Sequence, residues 1–356
     1  MAYNRKQRLN DNIKAIETAF ILDREQRTPT ARERLLLERY CGFGGLKCIL
    51  NPARELADAV HWAKSDLELF APTVELHRLI RENSKNESEY KQLMDSLKQS
   101  VLTAFYTPSA ITEALTDVLK EHQIIPEKVL EPSAGIGAFV DSVLDNNPKA
   151  DIMAFEKDLL TGKILRHLHP EQKVRIEGFE KIEKPFNDYF DLAISNIPFG
   201  DVAVFDPSYT AMKGMRALVT RRIHNYFFVK ALDTVRDGGL VAFITSQGVL
   251  NAKNNSAARF MMLYHADLVS AIRLPNNLFT ENANTEVGSD LIILQKNTQK
   301  ESLRGDDNLL DTVYNDENRI PTNNYFLGHP ERIIHTTAKL DTDPFGKPAM
   351  IYTHED

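Results

Sequence analysis

The sequence predicts an α/β chain: a seven-stranded, mostly parallel sheet with helices on both faces, preceded by a helical extension. Two observations carry this. Between about residues 101 and 296, short apolar runs rich in Val, Ile and Leu alternate with segments of helical period. The first 100 residues lack such runs and space their apolar side chains every third or fourth position.

The helical region, 1–100, includes "VELHRLIRENSKNESEYKQLMDSLKQS" and the run Leu35, Leu36, Leu37 before "RYCGFGGLKCIL". Gly42, Gly44 and Gly45 interrupt it. No Lys-Ser/Thr pair follows, so the cluster is expected to be a turn between helices and not a phosphate cradle. In the central domain, 101–296, the expected strands are KVLEP, DIMAFE, KVRIEG, DLAISN, GGLVAFITS, DLVSAIRLP and SDLIILQK. Helices such as AITEALTDVLKEH, AFVDSVLDN and HNYFFVKALDTVRDGG separate them. The last two strands have no clear helix between them and are expected to be antiparallel. Residues 297–356 are polar, acidic and rich in Asn, Asp and Pro, which reads as a linker with a loosely structured tail, or a piece that packs on something else.

Composition narrows the class. A hydrophobic fraction of 42% with 26% charged residues describes a soluble globular chain, and no run is long enough to cross a bilayer. With two cysteines, Cys41 and Cys48, and no secretory leader, a cytoplasmic location is expected. His167 and His169 have no Cys or carboxylate partners at ligand spacing, so no metal is expected. The net charge of −7 excludes a chain coated in basic residues but leaves room for a local basic groove.

Three stretches carry chemistry. "KVLEPSAGIGAFV" reads as strand, glycine loop and helix, the turn where open α/β sheets bind nucleotide-like ligands. Glu131 falls at the strand's end, and Gly135 and Gly137 allow close backbone approach. Glu156, ending the next strand, suits ribose hydroxyls. A dinucleotide and S-adenosylmethionine both fit this pattern; the acid at 131, in place of a third glycine, favours the cationic, phosphate-free one. "FYTPSAITEAL" is a helix start with Thr107 as N-cap and Pro108 at the first helical position. "DLAISNIPFGD" ends a buried strand at Asn196, at the sheet's carboxyl edge. The Asn196 amide oxygen and the Ile197 carbonyl can accept the two N–H bonds of an exocyclic amine and stabilise positive charge developing on its nitrogen. Pro198 fixes the turn, and Phe199 offers a stacking face for an extruded base.

Taken in this order, FYTP, EPSAGIG and NIPF resemble the amino-group, N6-adenine DNA methyltransferases over about residues 101–296. The GFGG segment and the NIPF variant are similar to the methylase segment of large helicase-linked methylases of phages and mobile elements. The resemblance implies a Rossmann-like S-adenosylmethionine-dependent methyltransferase fold acting on DNA by base flipping, with a helicase or specificity partner supplying target recognition. By it, Tyr106, Thr107, Glu131, Ser133, Gly135 and Gly137 surround the methionine part of S-adenosylmethionine, and Glu156 takes the ribose. Phe179 or Glu180, with Phe227, borders the cofactor adenine, and Phe279 covers the flipped base. Lys213, Arg216, Arg221 and Arg222, in the segment after NIPF, are expected near the catalytic edge as phosphate contacts. The family has Pro where this chain has Ile197. Methylation of RNA adenine or of protein glutamine, and a binding or anti-restriction component without turnover, are the alternative readings.

Overall fold

The computed structural model describes residues 4–103, 107–211, 214–280, 286–303, 305–314, 319–343 and 346–355. Its N-terminal region contains α1 (Arg5–Glu25), α2 (Ala31–Leu37), α3 (Phe70–Glu82) and α4 (Glu87–Thr103). A capping box starts α2: the Thr30 hydroxyl accepts the Glu33 N–H, and the Glu33 carboxylate accepts the Thr30 N–H. Gly42 and Gly45 take φ of 66° and 77°, so the expected turn runs through left-handed backbone at both. Asn12, fully buried on α1, fastens that turn. Its amide donates to the Gly42 carbonyl at 2.6 Å and accepts the Cys41 N–H at 2.9 Å.

The central domain runs α5 (Ser109–Glu121), β1 (Lys128–Glu131), α6 (Ala138–Asn146), β2 (Asp151–Phe155), α7 (Leu159–Leu168), β3 (Lys173–Arg175) and β4 (Phe190–Asn196). It continues through α8 (Pro207–Thr210), α9 (Met215–Val219), α10 (Ile223–Thr234), β5 (Val235–Ser246), α11 (Gly248–Asn251), α12 (Ser256–His265), β6 (Ala266–Leu274) and β7 (Ser289–Lys296). All seven expected runs are strands, in the order β3-β2-β1-β4-β5-β7-β6. The last is antiparallel, as expected, but it inserts between β5 and β6 and pairs with both. Strand order reverses between β1 and β4, which opens a crevice at their carboxyl ends.

Alternation along the strands builds two cores. Ala193, Val241, Phe243, Ile292 and Leu294 face α10 and α12. Leu192, Ile194, Ala242, Ile244 and Leu291 face α5 and α6. A third cluster joins α1 through α4 to Leu160, Ile164 and Leu168 of α7. Each fully buried Val, Leu, Ile or Phe among them contributes roughly 1.5–3 kcal/mol. The N-terminal helices therefore share a core with the helix that follows Glu156.

The expectation of a loosely structured tail is corrected. Beyond β7 lie β8 (Thr312–Tyr314) paired with β9 (Pro321–Asn323), and a hairpin of β10 (Thr337–Thr342) and β11 (Pro348–Thr353). Leu309 and Phe326 enter the α10–α12 core. Arg259, buried, donates to the carbonyls of Leu310, Val249 and Ala252, and the Asn323 amide donates to those of Leu250 and Leu309, both at 2.9 Å. The hairpin docks beyond β6, where Asn276 accepts the Tyr352 N–H at 3.0 Å and Asn277 accepts the His354 N–H at 3.1 Å. The Asn-rich composition serves backbone carbonyls and N–H groups, so it does not signal disorder here.

Candidate active site

Three strand ends meet at the crevice. After β1, the loop rises through Gly135 (φ 56°) and enters α6 at Gly137 (φ 95°). The Gly135 N–H donates to one Glu156 carboxylate oxygen at 2.8 Å and the Asp158 N–H to the other at 2.7 Å. The Ala134 N–H donates to the Phe155 carbonyl at 2.8 Å, so the loops after β1 and β2 are tied together. Burial first, then the Asp158 charge, pushes the Glu156 carboxyl up to about 8. Gly137 answers to packing: a Cβ there would lie 2.5 Å from a His169 ring nitrogen, so its bareness serves the α6–α7 contact and the positive φ.

Glu131 is 1% exposed, and among the described residues neither carboxylate oxygen has a hydrogen-bond partner of normal geometry. Burial pushes its carboxyl well above the ordinary value, outweighing the Ser195 hydroxyl and Ser133 N–H nearby. An isolated buried acid is costly unless a cation or donor completes it. The α-ammonium and ribose hydroxyls of S-adenosylmethionine are such groups, so Glu131 and Glu156 fit that cofactor. Ser133, half-buried in the same loop, places its carbonyl 3.5 Å from the Ser195 hydroxyl.

Sequence reasoning missed the support behind Glu156. Asp158 caps α7 by accepting the Thr161 N–H at 2.6 Å, and its second oxygen is buried with no partner of normal geometry among the described residues. From α4, Ser96 accepts the Leu160 N–H at 3.0 Å, while the Tyr40 hydroxyl lies 3.1 Å from that of Thr161. Ser100 accepts the Phe43 N–H at 3.2 Å, so the glycine turn reaches the same place. The GFGG cluster was the available signal, but nothing local says what it touches.

Near the FYTP segment, α5 begins one residue later than expected. Pro108 is the cap position, its carbonyl accepts the Ile111 N–H at 3.0 Å, and its own side chain gives no cap. Thr107 is half-buried just before it. Tyr106 and Lys213 lie outside the described residues.

On the other side of the crevice, Asn196 ends β4, half-buried and paired with Ile244 of β5. The Ile197 N–H donates to the Ile244 carbonyl at 3.0 Å, and its side chain is 1% exposed in the core. Pro198 and Phe199 are half-buried at the rim, with Phe199 resting on the α5–α6 core. Phe279 is fully buried in that same cluster, so it supports the rim and presents no open ring face to a base. Phe179 and Phe227 come together, ring centres 5.3 Å apart, and both are buried; Glu180 faces Lys157 at 3.8 Å.

The arginines separate. Arg222 starts α10 beside the NIPF loop and pairs with Asp201 at 2.8 Å. Arg221 is exposed next to it. Arg216 instead pairs with Asp233 at 2.6 Å, at the far end of α10 where β5 begins. Its placement at the catalytic edge is thus corrected: Arg216 meets Asp233 near the end of α10, a twelve-residue helix about 18 Å long, whereas Arg222 caps its start.

Among the described residues, no helix is long and apolar enough to cross a membrane. The chain is 29% identical over 201 residues to the defense against restriction protein B of Escherichia phage P1, a match covering 55% of this chain and 8% of that protein. It is 25% identical over 173 residues to the type II methyltransferase M.XamI of Xanthomonas campestris pv. amaranthicola, covering 45% of this chain and 33% of that one. The chain thus spans a minor part of the curated relatives it matches. Among solved structures, the type IIG restriction endonuclease BpuSI aligns with 84% of this chain and 38% of its own, at 17% identity and a TM-score of 0.44. The family model described as N-6 DNA Methylase matches residues 88–336, well over half of the sequence. The chain belongs to the N-6 DNA methylase family, and S-adenosylmethionine is the cofactor the family uses.

Proposed function

We propose that the chain methylates the N6 amino group of adenine in DNA, acting on a base turned out of the duplex. The observation that carries this reading is the position of Asn196 at the end of β4, across the strand-order reversal from the unpartnered Glu131. Glu131 and Glu156 hold the cofactor by its ammonium and ribose hydroxyls, with Gly135, Ser133 and Thr107 lining the loop side. Phe179 and Phe227 border its adenine. When bound, S-adenosylmethionine supplies an electrophilic methyl group.

The rest is done by the chain's own groups. An aromatic amine is a weak nucleophile because its lone pair is delocalised into the ring. The Asn196 amide oxygen and the Ile197 carbonyl accept its two N–H bonds and favour the positive charge that grows on nitrogen. Pro198 sets the direction of those acceptors, and Phe199 stacks on the base, holding it in line. Arg221 and Arg222 face the backbone of the same strand. A helicase or specificity partner reads the target sequence.

The test is to incubate the purified chain with labelled cofactor and separate DNA, RNA and protein pools, then locate N6-methyladenine by mass spectrometry. Label in DNA adenine that vanishes in Asn196→Ala supports the reading. Label only in RNA or protein ends it, and cofactor binding without any transfer marks a binding component.

A further inference from the structure

The first turn of α10 combines backbone donors, a fixed arginine and a buried histidine, of which the reading above uses only Arg222. By helix geometry the N–H groups of Ile223, His224 and Asn225 have no intrahelical acceptor, since the ladder opens with the Tyr226 N–H donating to the Arg222 carbonyl at 3.0 Å. Arg222, at the cap, supplies no side-chain acceptor for them. Such an end carries partial positive charge and favours an anion.

Arg222 reinforces it. Its guanidinium is held by the amide oxygens of Asn254 and Asn255, and Asn255 also accepts from the Asn225 amide at 2.9 Å. The fork is therefore fixed in direction, as bidentate recognition of an oxyanion requires. Independently, His224 is 3% exposed, neither ring nitrogen has a hydrogen-bond partner among the described residues, and the charges of both Arg222 and Asp201 act on it. A buried imidazole without partners is costly unless a ligand completes it.

The anion now present is the chain's own. Asp201 is held to the Arg222 Nε at 2.8 Å, yet its side chain is 76% exposed. It follows Gly200, whose φ is 137° and where an added Cβ would meet only Val202 at 3.8 Å. Asp201 lies five residues from Asn196, at most about 18 Å of extended chain.

We propose that the first turn of α10, with Arg222 and His224, is a binding site for a backbone phosphate of the substrate nucleic acid, and that the Asp201 carboxylate stands in for that phosphate when no substrate is bound. The site deepens the DNA reading above and rests on it. Phosphate displaces Asp201 from Arg222, so loop movement after Phe199 is coupled to substrate arrival at the rim.

The experiment is the salt dependence of binding, read by fluorescence anisotropy with a random-sequence DNA duplex and an RNA of the same sequence. The chains compared are the wild type, Asp201→Asn and Arg222→Ala. Removing a competing exposed ion pair should tighten DNA binding by about two- to fivefold in Asp201→Asn. Arg222→Ala should weaken it and lower the log–log salt slope by about one. Wild-type DNA binding that neither substitution alters overturns the site while sparing the DNA reading. The same pattern on RNA with no DNA binding spares the site and removes DNA as its substrate, and no binding to either removes both. Cofactor calorimetry checks that each variant is folded; should Arg222→Ala fail it, Asp201→Asn decides alone, because unchanged affinity there refutes the stand-in.

Discussion

The backbone N–H of Ile197 donates to the carbonyl of Ile244 at 3.0 Å, just past the last paired residues of β4 and β5. A proline at 197 has no N–H to give. This chain thus replaces ring rigidity with one more rung of the ladder, and the buried isoleucine side chain anchors it from below. Ile197→Pro should lower stability by about 1–3 kcal/mol through the unsatisfied Ile244 carbonyl. Denaturant melts check it; an unchanged midpoint would show that the hydrogen bond contributes nothing.

Asn196→Ala should leave the fold intact and reduce methyl transfer by roughly 100- to 1,000-fold or more, the usual effect of losing a group aimed at developing charge. Initial rates with labelled cofactor, beside thermal melts, separate the two. A comparable rate in the variant would remove Asn196 from its role.

Glu156 has its carboxyl raised to about 8 by burial and by Asp158. With the folded value above the unfolded one, the native chain binds the extra proton between about pH 4.5 and 8, so this group's contribution falls as pH rises through that window. Hydroxyl donors favour the ionised form, so cofactor binding should release protons near neutral pH. Calorimetry in buffers of different ionisation enthalpy should show this release, and Glu156→Gln should reduce it, leaving only what Glu131 contributes. Identical proton counts in the two proteins would refute the assignment.

Tyr40 reaches from the N-terminal region to Thr161, three residues beyond the Asp158 cap. Tyr40→Phe should cost about 1 kcal/mol and raise the KM for S-adenosylmethionine more than it lowers kcat. A change in thermal stability alone would reduce Tyr40 to a packing residue.

Arg216 offers the contrast to Arg222. Because its partner Asp233 is partly buried and also accepts from Tyr209, Arg216→Ala should destabilise the chain without changing the salt slope of DNA binding. A lowered slope would return Arg216 to the substrate side.

Much of this was legible residue by residue. Strand runs such as DLAISN and GGLVAFITS are apolar because both sheet faces are covered, and that burial prints itself on the sequence. Glu131, Glu156 and Asn196 were legible because they follow those runs directly, and a strand's end fixes where its next residue emerges. Arg216 was misplaced because charge in an insertion does not reveal how the insertion folds back. Phe279 was misplaced because an aromatic near a rim looks the same whether it faces out or in. The tail was misread because Asn323 and Arg259 stabilise it through backbone carbonyls, a use that composition does not distinguish from solvation.

Local pattern, then, determined the seven strands, the helical extension and the three motif ends, since periodicity and strand termini act within a few residues. Tertiary structure decided the insertion of β7, the support of Asp158 by Ser96 and Tyr40, and the division between Arg222 and Arg216. Those depend on contacts between residues tens of positions apart, which form only when the cores close, and no short stretch of sequence contains both partners.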